Sequence, residues 1–217
     1  MLHHLASSNS LIHCWIRELR ELQTQDNRMQ FRRNMERIGE IAAYEISKTL
    51  PYKEHEIETP LGMYTAKELV QQPVIATILR AGIPLFQGLL NYFDKADSSF
   101  VAAYRKHNKF DDSFEINQGY VTCPNLQDRT LIIADPMLAT GASLIMALEE
   151  LQNYGSPAEV HIVVAIACTD GIEAVHKRYP HFTIWAADID EELTAKGYIV
   201  PGLGDAGDLA FGSKMQF

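Results

Sequence analysis

The stretch from Leu131 to Ser143 carries the clearest chemical signal in this chain of 217 residues. It reads Leu-Ile-Ile-Ala-Asp-Pro-Met-Leu-Ala-Thr-Gly-Ala-Ser. The pattern predicts a buried strand that ends in Asp135, followed by a loop of small residues that opens a helix. Backbone N–H groups at a helix start suit a phosphate, and a carboxylate at the strand end can accept hydrogen bonds from ribose hydroxyls. The segment therefore indicates a ribose-phosphate ligand.

Three other segments carry residues suited to such a ligand. Residues 198–208 read Tyr-Ile-Val-Pro-Gly-Leu-Gly-Asp-Ala-Gly-Asp, which is too irregular for a simple connection. Arg80 precedes Ala81 and Gly82, and Arg105 lies in the basic cluster Tyr-Arg-Lys-His. Arginine can bind phosphate oxygens through two parallel hydrogen bonds, and small residues let the backbone approach a ligand closely.

The elements around these segments predict an α/β fold. Apolar runs predict strands at 73–79, 100–104, 130–134, 160–167 and 182–186, and helical patterns occur at 14–49, 82–92, 141–154 and 171–179. Such alternation is typical of a parallel sheet with helices on both faces. Ligands of these folds bind at the carboxyl ends of the strands, so the loops after residues 79, 104, 134 and 186 are expected to meet at one edge. Residues 113–120 alternate enough to form a projecting ribbon, and Thr59 to Gly62 is predicted to be a turn.

Composition narrows the class of protein. The formal net charge of −9 argues against a nucleic-acid partner, which needs a basic surface. No apolar run is long enough to span a membrane, and the N-terminus does not resemble a signal peptide. The three cysteines are widely spaced, so neither a disulfide framework nor a metal motif is expected, and a cytoplasmic location fits them best. The arginines at 28, 32, 33 and 37 are interpreted as a solvated helix face.

With these motifs in place, the chain resembles the uracil phosphoribosyltransferase family. Residues 135–143 are similar to that family's loop for the phosphoribosyl donor, and residues 198–208 to its uracil loop; we call them the donor loop and the base loop. Further matching segments are Ala43-Tyr44-Glu45, Glu58-Thr59-Pro60-Leu61-Gly62 and Ile78-Leu79-Arg80-Ala81-Gly82. The resemblance implies one phosphoribosyltransferase domain over residues 1–217, with an N-terminal helical segment (1–50), a flexible hood (105–125) and a C-terminal uracil-binding segment (187–217).

The resemblance also implies an activity and a set of site residues. The activity is transfer of the 5-phosphoribosyl group from 5-phospho-α-D-ribose 1-diphosphate to uracil, which gives UMP and diphosphate. Arg80, Arg105, Asp135 and Asp205 are the implied catalytic residues. The same four bind the donor together with Pro136, Met137, Leu138, Ala139, Thr140, Gly141, Ala142 and Ser143. Ile199, Gly204, Asp205 and Ala206 are expected to bind uracil, largely through backbone groups.

The same resemblance implies the cofactor and the partners. Mg²⁺ is expected to bind through the donor's diphosphate, with no metal site formed by the protein alone. A homodimer or higher homo-oligomer is expected, with GTP as an activator in some members of the family.

Two alternatives stay open at this stage, and three positions depart from the family pattern. The chain could be a nucleotide-binding regulator of the same fold with little or no catalysis, or a transferase for another base. The departures are the hood sequence that begins at Lys106, Ala142 in place of a common glycine, and Leu209 in place of a usual arginine. A methyl group at position 142 is compatible with the loop if φ stays negative.

Overall fold

The apolar runs form the strands of one eight-stranded sheet. A computed structural model describes residues 1–107 and 114–214, and for residues 103–107 and 114–119 it describes the backbone alone. The strands are β1 (Leu2–His4), β2 (Tyr52–Thr59), β3 (Gly62–Leu69), β4 (Val74–Ile78), β5 (Asp97–His107), β6 (Phe114–Thr122), β7 (Thr130–Ala134), β8 (Met137–Leu138), β9 (Glu159–Cys168), β10 (Thr183–Asp190), β11 (Glu192–Leu193) and β12 (Ile199–Val200). The helices are α1 (Leu11–Arg20), α2 (Leu22–Gln25), α3 (Arg28–Ser47), α4 (Ile83–Leu90), α5 (Ala142–Leu151), α6 (Thr169–Arg178) and α7 (Ala206–Phe211).

The strand order confirms the predicted fold class. The main sheet runs β1-β10-β9-β7-β4-β5-β6, and β8 also pairs with β9. Its pairs are parallel except β5–β6, which is antiparallel. The carboxyl ends of β4, β7 and β10 therefore meet at one edge, which is the edge expected to bind ligands.

Alternating side chains of the central strands supply two hydrophobic cores. Ile75 and Ile132 face a core that includes side chains of α1, α3 and α4. Ala76 and Ile133 point to the opposite face, where α5 and α6 pack. Burial on both faces explains why these strands appear in the sequence as nearly continuous apolar runs.

The N-terminal segment differs from its prediction in two ways. The helical region predicted over 14–49 is three helices, because Glu21 has an extended backbone and Asn27 starts a new helix. The Asn27 side chain caps α3 by accepting a hydrogen bond from the Gln30 N–H at 3.2 Å. The segment 1–50 is also not helical throughout, since residues 2–4 form β1 and pair in parallel with β10.

The hood begins as a two-stranded ribbon. The prediction that a strand ends at residue 104 was wrong, because β5 continues to residue 107 and its last residues pair with β6. Arg105 thus lies within the ribbon, opposite Ile116, rather than in a loop after the strand. The predicted ribbon at 113–120 is confirmed as β6 from residue 114 onward. Residues 108–113 lie outside the described residues, and the flexibility expected of the hood stays a prediction.

A second hairpin, β2–β3, leaves most of its surface exposed. The predicted turn at Thr59 to Gly62 joins these two antiparallel strands. Leu61, Met63 and Tyr64 are all exposed although they are large and apolar. Among the described residues, the helices are too short or too polar to cross a membrane.

Candidate active site

The donor loop is held mainly by backbone hydrogen bonds to the strand beside it. The Asp135 N–H donates to the Val163 carbonyl at 3.1 Å, and the Pro136 carbonyl accepts from Ala165 at 3.1 Å and Ile166 at 3.0 Å. These bonds extend the ladder from β7 to β9 past the end of β7. The loop thus leaves the sheet from a rigid base, with Asp135 at the predicted strand end.

The carboxyl of Asp135 has a raised pKa. Burial raises the pKa of its carboxyl from 3.8 to about 7, although a hydrogen bond from the Met137 N–H acts in the opposite direction. Burial has this effect because a carboxylate loses hydration when it leaves water. The carboxyl therefore changes charge near neutral pH, and hydroxyl donors from a bound sugar would favour its ionised form.

The end of the donor loop is shaped for the start of α5. Gly141 precedes the helix with φ of +80°, a conformation that glycine adopts without the cost of a Cβ. Ala142 is the first residue of α5, and its φ is not positive. The methyl group at this departure from the family pattern is thus compatible with the backbone, as expected. The first N–H groups of α5 are placed at the end of the loop, where they suit a phosphate.

Arg80 reaches from the loop after β4 to the end of the base loop. Its Nη2 donates to Asp208 Oδ1 at 2.7 Å and to the Gly212 carbonyl at 2.7 Å. Gly82 lies just behind it, where a Cβ would come within 2.2 Å of Thr77 Oγ1 and 2.7 Å of the Ala134 carbonyl oxygen. Glycine is thus required for α4 to start this close to the end of β7. A guanidinium has further N–H donors, so Arg80 can bind a diphosphate while it holds Asp208.

The predicted uracil contacts of the base loop differ in their exposure to solvent. Ile199 and Ala206 are buried, and Gly204 is exposed. Binding of a small planar ring by the backbone groups of this loop stays a prediction. Tyr198 is exposed, and its N–H donates to Thr194 Oγ1 at 3.1 Å.

Asp205 caps α7, the helix that begins within the base loop. Its Oδ1 accepts from the Asp208 N–H at 2.9 Å, and its Oδ2 accepts from Lys214 Nζ at 3.1 Å. Burial alone would raise the pKa of this carboxyl, but these two contacts lower it below its usual value. Asp205 is therefore ionised at neutral pH, unlike the partly protonated Asp135.

A cavity of about 260 Å³ lies between the base loop and the N-terminal helices. Gly204, Asp205 and Leu209 line one side, and Gln25 and Arg28 line the other. Leu209, which stands where an arginine is usual, also packs on the hydrophobic core. At position 209 this chain therefore makes an apolar contact where the family usually has an arginine.

Two contacts bring the separate segments together. The Arg80–Asp208 ion pair joins the loop after β4 to the base loop. A Cβ at Gly197 would lie 3.6 Å from the Thr140 methyl group, which places the start of the base loop against the donor loop. The side chain of Arg105, which was predicted to complete the site, lies outside the described residues.

The sequence-based prediction missed several residues that support the base loop and α7. Arg32, which was interpreted as part of a solvated face, instead donates to the Ala210 carbonyl at 2.7 Å. Arg20 contacts Asp188, Asp190 and the Gly202 carbonyl. Two aspartates at alternate positions of a strand that ends just before the base loop are a pattern that could have revealed this contact.

In the described residues, no three histidine, cysteine or acidic side chains are grouped to bind a metal. Asp135 and Asp205 do offer hard oxygen ligands at the two loops, which is the chemistry that Mg²⁺ prefers. These residues fit a metal that takes most of its ligands from a bound diphosphate and water.

Comparison with protein families gives one consistent result. The family model described as uracil phosphoribosyltransferase matches residues 6–213. A uracil phosphoribosyltransferase from Porphyromonas gingivalis strain W83 is 44% identical over 213 residues, covering 98% of each chain. One from Thermococcus gammatolerans is 41% identical over 203 residues, covering 92% of this chain and 88% of that protein.

Solved structures agree with the fold. The AQ2163 protein from Aquifex aeolicus is 30% identical and matches with a TM-score of 0.87, covering 100% of both chains. TT1426 from Thermus thermophilus matches with a TM-score of 0.51 at 15% identity, covering 82% of this chain and 95% of that one, and shows the fold alone.

Proposed function

The chain belongs to the uracil phosphoribosyltransferase family, and from this membership we propose that it transfers the 5-phosphoribosyl group of 5-phospho-α-D-ribose 1-diphosphate to uracil. The products are UMP and diphosphate, so the reaction serves pyrimidine salvage. The observation that carries the proposal is the meeting of Arg80, the donor loop and the base loop at one edge of the sheet, where Arg80 and Asp208 lie 2.7 Å apart.

The reaction breaks the bond from sugar C1 to the diphosphate oxygen and forms a bond from C1 to uracil N1, which loses its proton. Positive charge develops on the sugar while negative charge grows on the leaving diphosphate. The protein therefore needs to align the two substrates and neutralise the leaving group. Mg²⁺, when bound to the diphosphate, contributes to that neutralisation.

We assign the residues as follows. Arg80 and Arg105 bind the diphosphate, and the N-terminal N–H groups of α5 bind the 5-phosphate together with the loop from Pro136 to Ser143. Asp135 accepts hydrogen bonds from the ribose hydroxyls. Asp205, which is ionised and held by Lys214, would contact the donor or its hydration shell.

Uracil recognition falls to the backbone near Ile199, Gly204 and Ala206. Fixed N–H and C=O groups can match the donors and acceptors along one edge of uracil. Cytosine carries an amino group where uracil has a carbonyl, so it leaves a polar group in such a pocket without a match.

Three further proposals concern the oligomeric state, activation by GTP and the cellular location. The exposed apolar side chains on β2–β3 support a homodimer or higher homo-oligomer, because an isolated two-stranded hairpin is marginally stable in water. GTP activation follows from the family resemblance alone. A cytoplasmic location is supported by Cys14, Cys123 and Cys168, which are all free thiols.

The decisive experiment is a turnover assay with the donor, Mg²⁺ and one nucleobase at a time, with and without GTP. UMP formation with uracil alone is expected. Donor binding without product from any base would refute the proposed reaction and favour a nucleotide-binding regulator. Product from a base other than uracil would refute the assignment of the base.

A further inference from the structure

Arg20, the last residue of α1, forms a partly buried charge cluster with Asp188 and Asp190 at the end of β10. Its Nη2 donates to Asp188 Oδ2 at 2.8 Å, and Nη1 and Nη2 donate to the two carboxylate oxygens of Asp190 at 2.8 and 2.9 Å. The side chains of Arg20 and Asp190 are only 18% and 7% exposed. Charges removed from water to this extent need their partners, so the cluster has a strongly preferred geometry.

The cluster holds both backbone polar groups of one residue of the base loop. The Gly202 N–H donates to Asp190 Oδ2 at 3.0 Å, and the Gly202 carbonyl accepts from Arg20 Nη1 at 2.9 Å. Gly202 has φ of +56°, and a Cβ there would lie 2.2 Å from the Ile199 carbonyl oxygen. The loop is thus folded tightly back on Ile199 at Gly202, the residue to which Arg20 and Asp190 are hydrogen-bonded.

Gly202, whose backbone is bound by Arg20 and Asp190, lies between residues that are assigned to uracil binding. Ile199 precedes Gly202 in the chain and Gly204 follows it, so a change at Gly202 displaces the backbone on both sides. The support itself is anchored well: α1 buries Ile12, Ile16 and Leu19, and the Arg20 carbonyl accepts from Gln25 Nε2 at 2.9 Å.

We propose that Arg20 and Asp190 are positioning residues for uracil recognition, which fix the backbone of the base loop from behind without touching the base. This inference rests on the proposed function, because it assigns the backbone around Gly202 to uracil binding. The contacts described for Arg20 go to β10, α2 and the base loop, so its loss acts on uracil rather than on the donor.

Arginine is required here for its shape as well as its charge. Its planar fork engages two carboxylates and a carbonyl at once, whereas a lysine ammonium acts as a single point. Burial alone would lower the pKa of the Arg20 guanidinium, but hydrogen bonds with Asp190 and Asp188 raise it overall. The cation is thus present throughout the pH range of an activity assay.

The test compares Arg20→Gln, Arg20→Lys and Asp190→Asn with Arg17→Gln. Arg17 lies on the same helix but makes an exposed pair with Glu21, so its variant is the matched control. In Arg20→Gln the KM for uracil is expected to rise about tenfold or more while the KM for the donor changes less than about twofold, since small misplacements of a binding group are costly. Arg20→Lys is expected to fall between Arg20→Gln and the wild type.

A second readout does not depend on turnover. Hydrogen exchange of the Gly202 amide is expected to accelerate about tenfold or more in Arg20→Gln and to stay at the wild-type rate in Arg17→Gln, because the exchange rate follows local opening. If the wild type made no UMP, the proposed function would fail. Hydrogen exchange of the Gly202 amide would still show whether Arg20 holds this backbone in place. Equal changes in both KM values, or unchanged exchange at Gly202, would overturn the inference; if Arg20→Gln does not fold, Arg20→Lys is judged by the same criteria.

Discussion

The donor loop and the base loop reach the same edge of the sheet, but they are held there in different ways. The donor loop is fixed by backbone hydrogen bonds to β9, its neighbour in the sheet, and by a glycine that starts the next helix. The base loop, together with α7 that begins in it, is fixed by side chains from distant parts of the chain, among them Arg20, Arg32 and Arg80. One loop thus derives its shape from the sheet, and the other from long-range polar contacts.

This difference predicts which substrate each kind of change affects. Changes within the donor loop should act on the donor alone. Changes in those supports of the base loop that contact no donor-binding residue should act on uracil, even when the altered residue is far from the loop in sequence. Variants that act on the wrong substrate would break the comparison.

The largest expected effect is that of Asp135→Asn on use of the donor. An amide cannot replace the charged acceptor offered to the ribose hydroxyls, and such hydrogen bonds contribute about 1.5–3 kcal/mol. The kcat/KM for the donor should fall about 10- to 100-fold, measured by initial rates at saturating uracil. A change confined to the KM for uracil would contradict the assignment of this loop.

The same residue predicts an opposite pH dependence of activity and stability. Because the pKa of Asp135 is about 7 when folded, kcat/KM for the donor should rise with pH through about 7 as the carboxylate forms. Stability should fall between pH 3.8 and about 7 and then level off, since in this window the unfolded chain has released the proton while the folded chain still retains it. Thermal unfolding at pH 8 should therefore show Asp135→Asn to be more stable than the wild type, with the difference gone below pH 3.8.

A pair of glycine variants compares the two loops directly. Gly202→Ala and Gly141→Ala both place a methyl group on a backbone with positive φ, at a cost of about 1–2 kcal/mol. At Gly202 the Cβ also meets a carbonyl oxygen at 2.2 Å, whereas at Gly141 the nearest atom is 3.3 Å away. We expect the KM for uracil to rise about tenfold or more in Gly202→Ala, and the KM for the donor to rise less in Gly141→Ala.

Equal effects of the two glycine variants on both substrates would show that the loops do not act separately. The thermal midpoint of each variant serves as the control for folding. It should be measured before the kinetics, because a loss of folded protein lowers the rate with either substrate.

The smallest expected effect comes from Asp208→Asn, which weakens the link between the loops. Its ion pair with Arg80 is about one-third exposed on each side, at 35% for both side chains. Such pairs contribute about 0–1 kcal/mol, so kcat/KM should fall about threefold for both substrates alike. Glu149→Gln, which breaks an exposed pair with Arg178, is the control and should leave the kinetics unchanged.

The same contrast explains what could be predicted from the sequence. Buried strands such as β7 and β9, and the helix start at Gly141, follow from local residue patterns, so the fold class and the place of the loop between β7 and α5 could be predicted; binding of the donor by this loop stays a prediction. The strand β1 was missed because residues 2–4 are too few to show a pattern, and its pairing depends on β10. The end of β5 was misplaced because its last residues are polar, so no apolar run in the sequence marks their pairing with β6.

The supports of the base loop were missed for a related reason. Arg20 and Asp190 lie 170 residues apart, and neither lies in a motif. Arg32 shares a helix with Arg33, which is exposed and pairs with Glu36, so the four arginines looked alike in sequence. Only the packing of the C-terminal segment on α3 distinguishes them.

The pairing of β1 with β10 has a consequence for biosynthesis. Leu2 pairs with Ile184, which is 182 residues further along the chain and therefore leaves the ribosome long after it. The growing chain must therefore keep its first strand unpaired while the central strands form, and closing so long a loop late is slow.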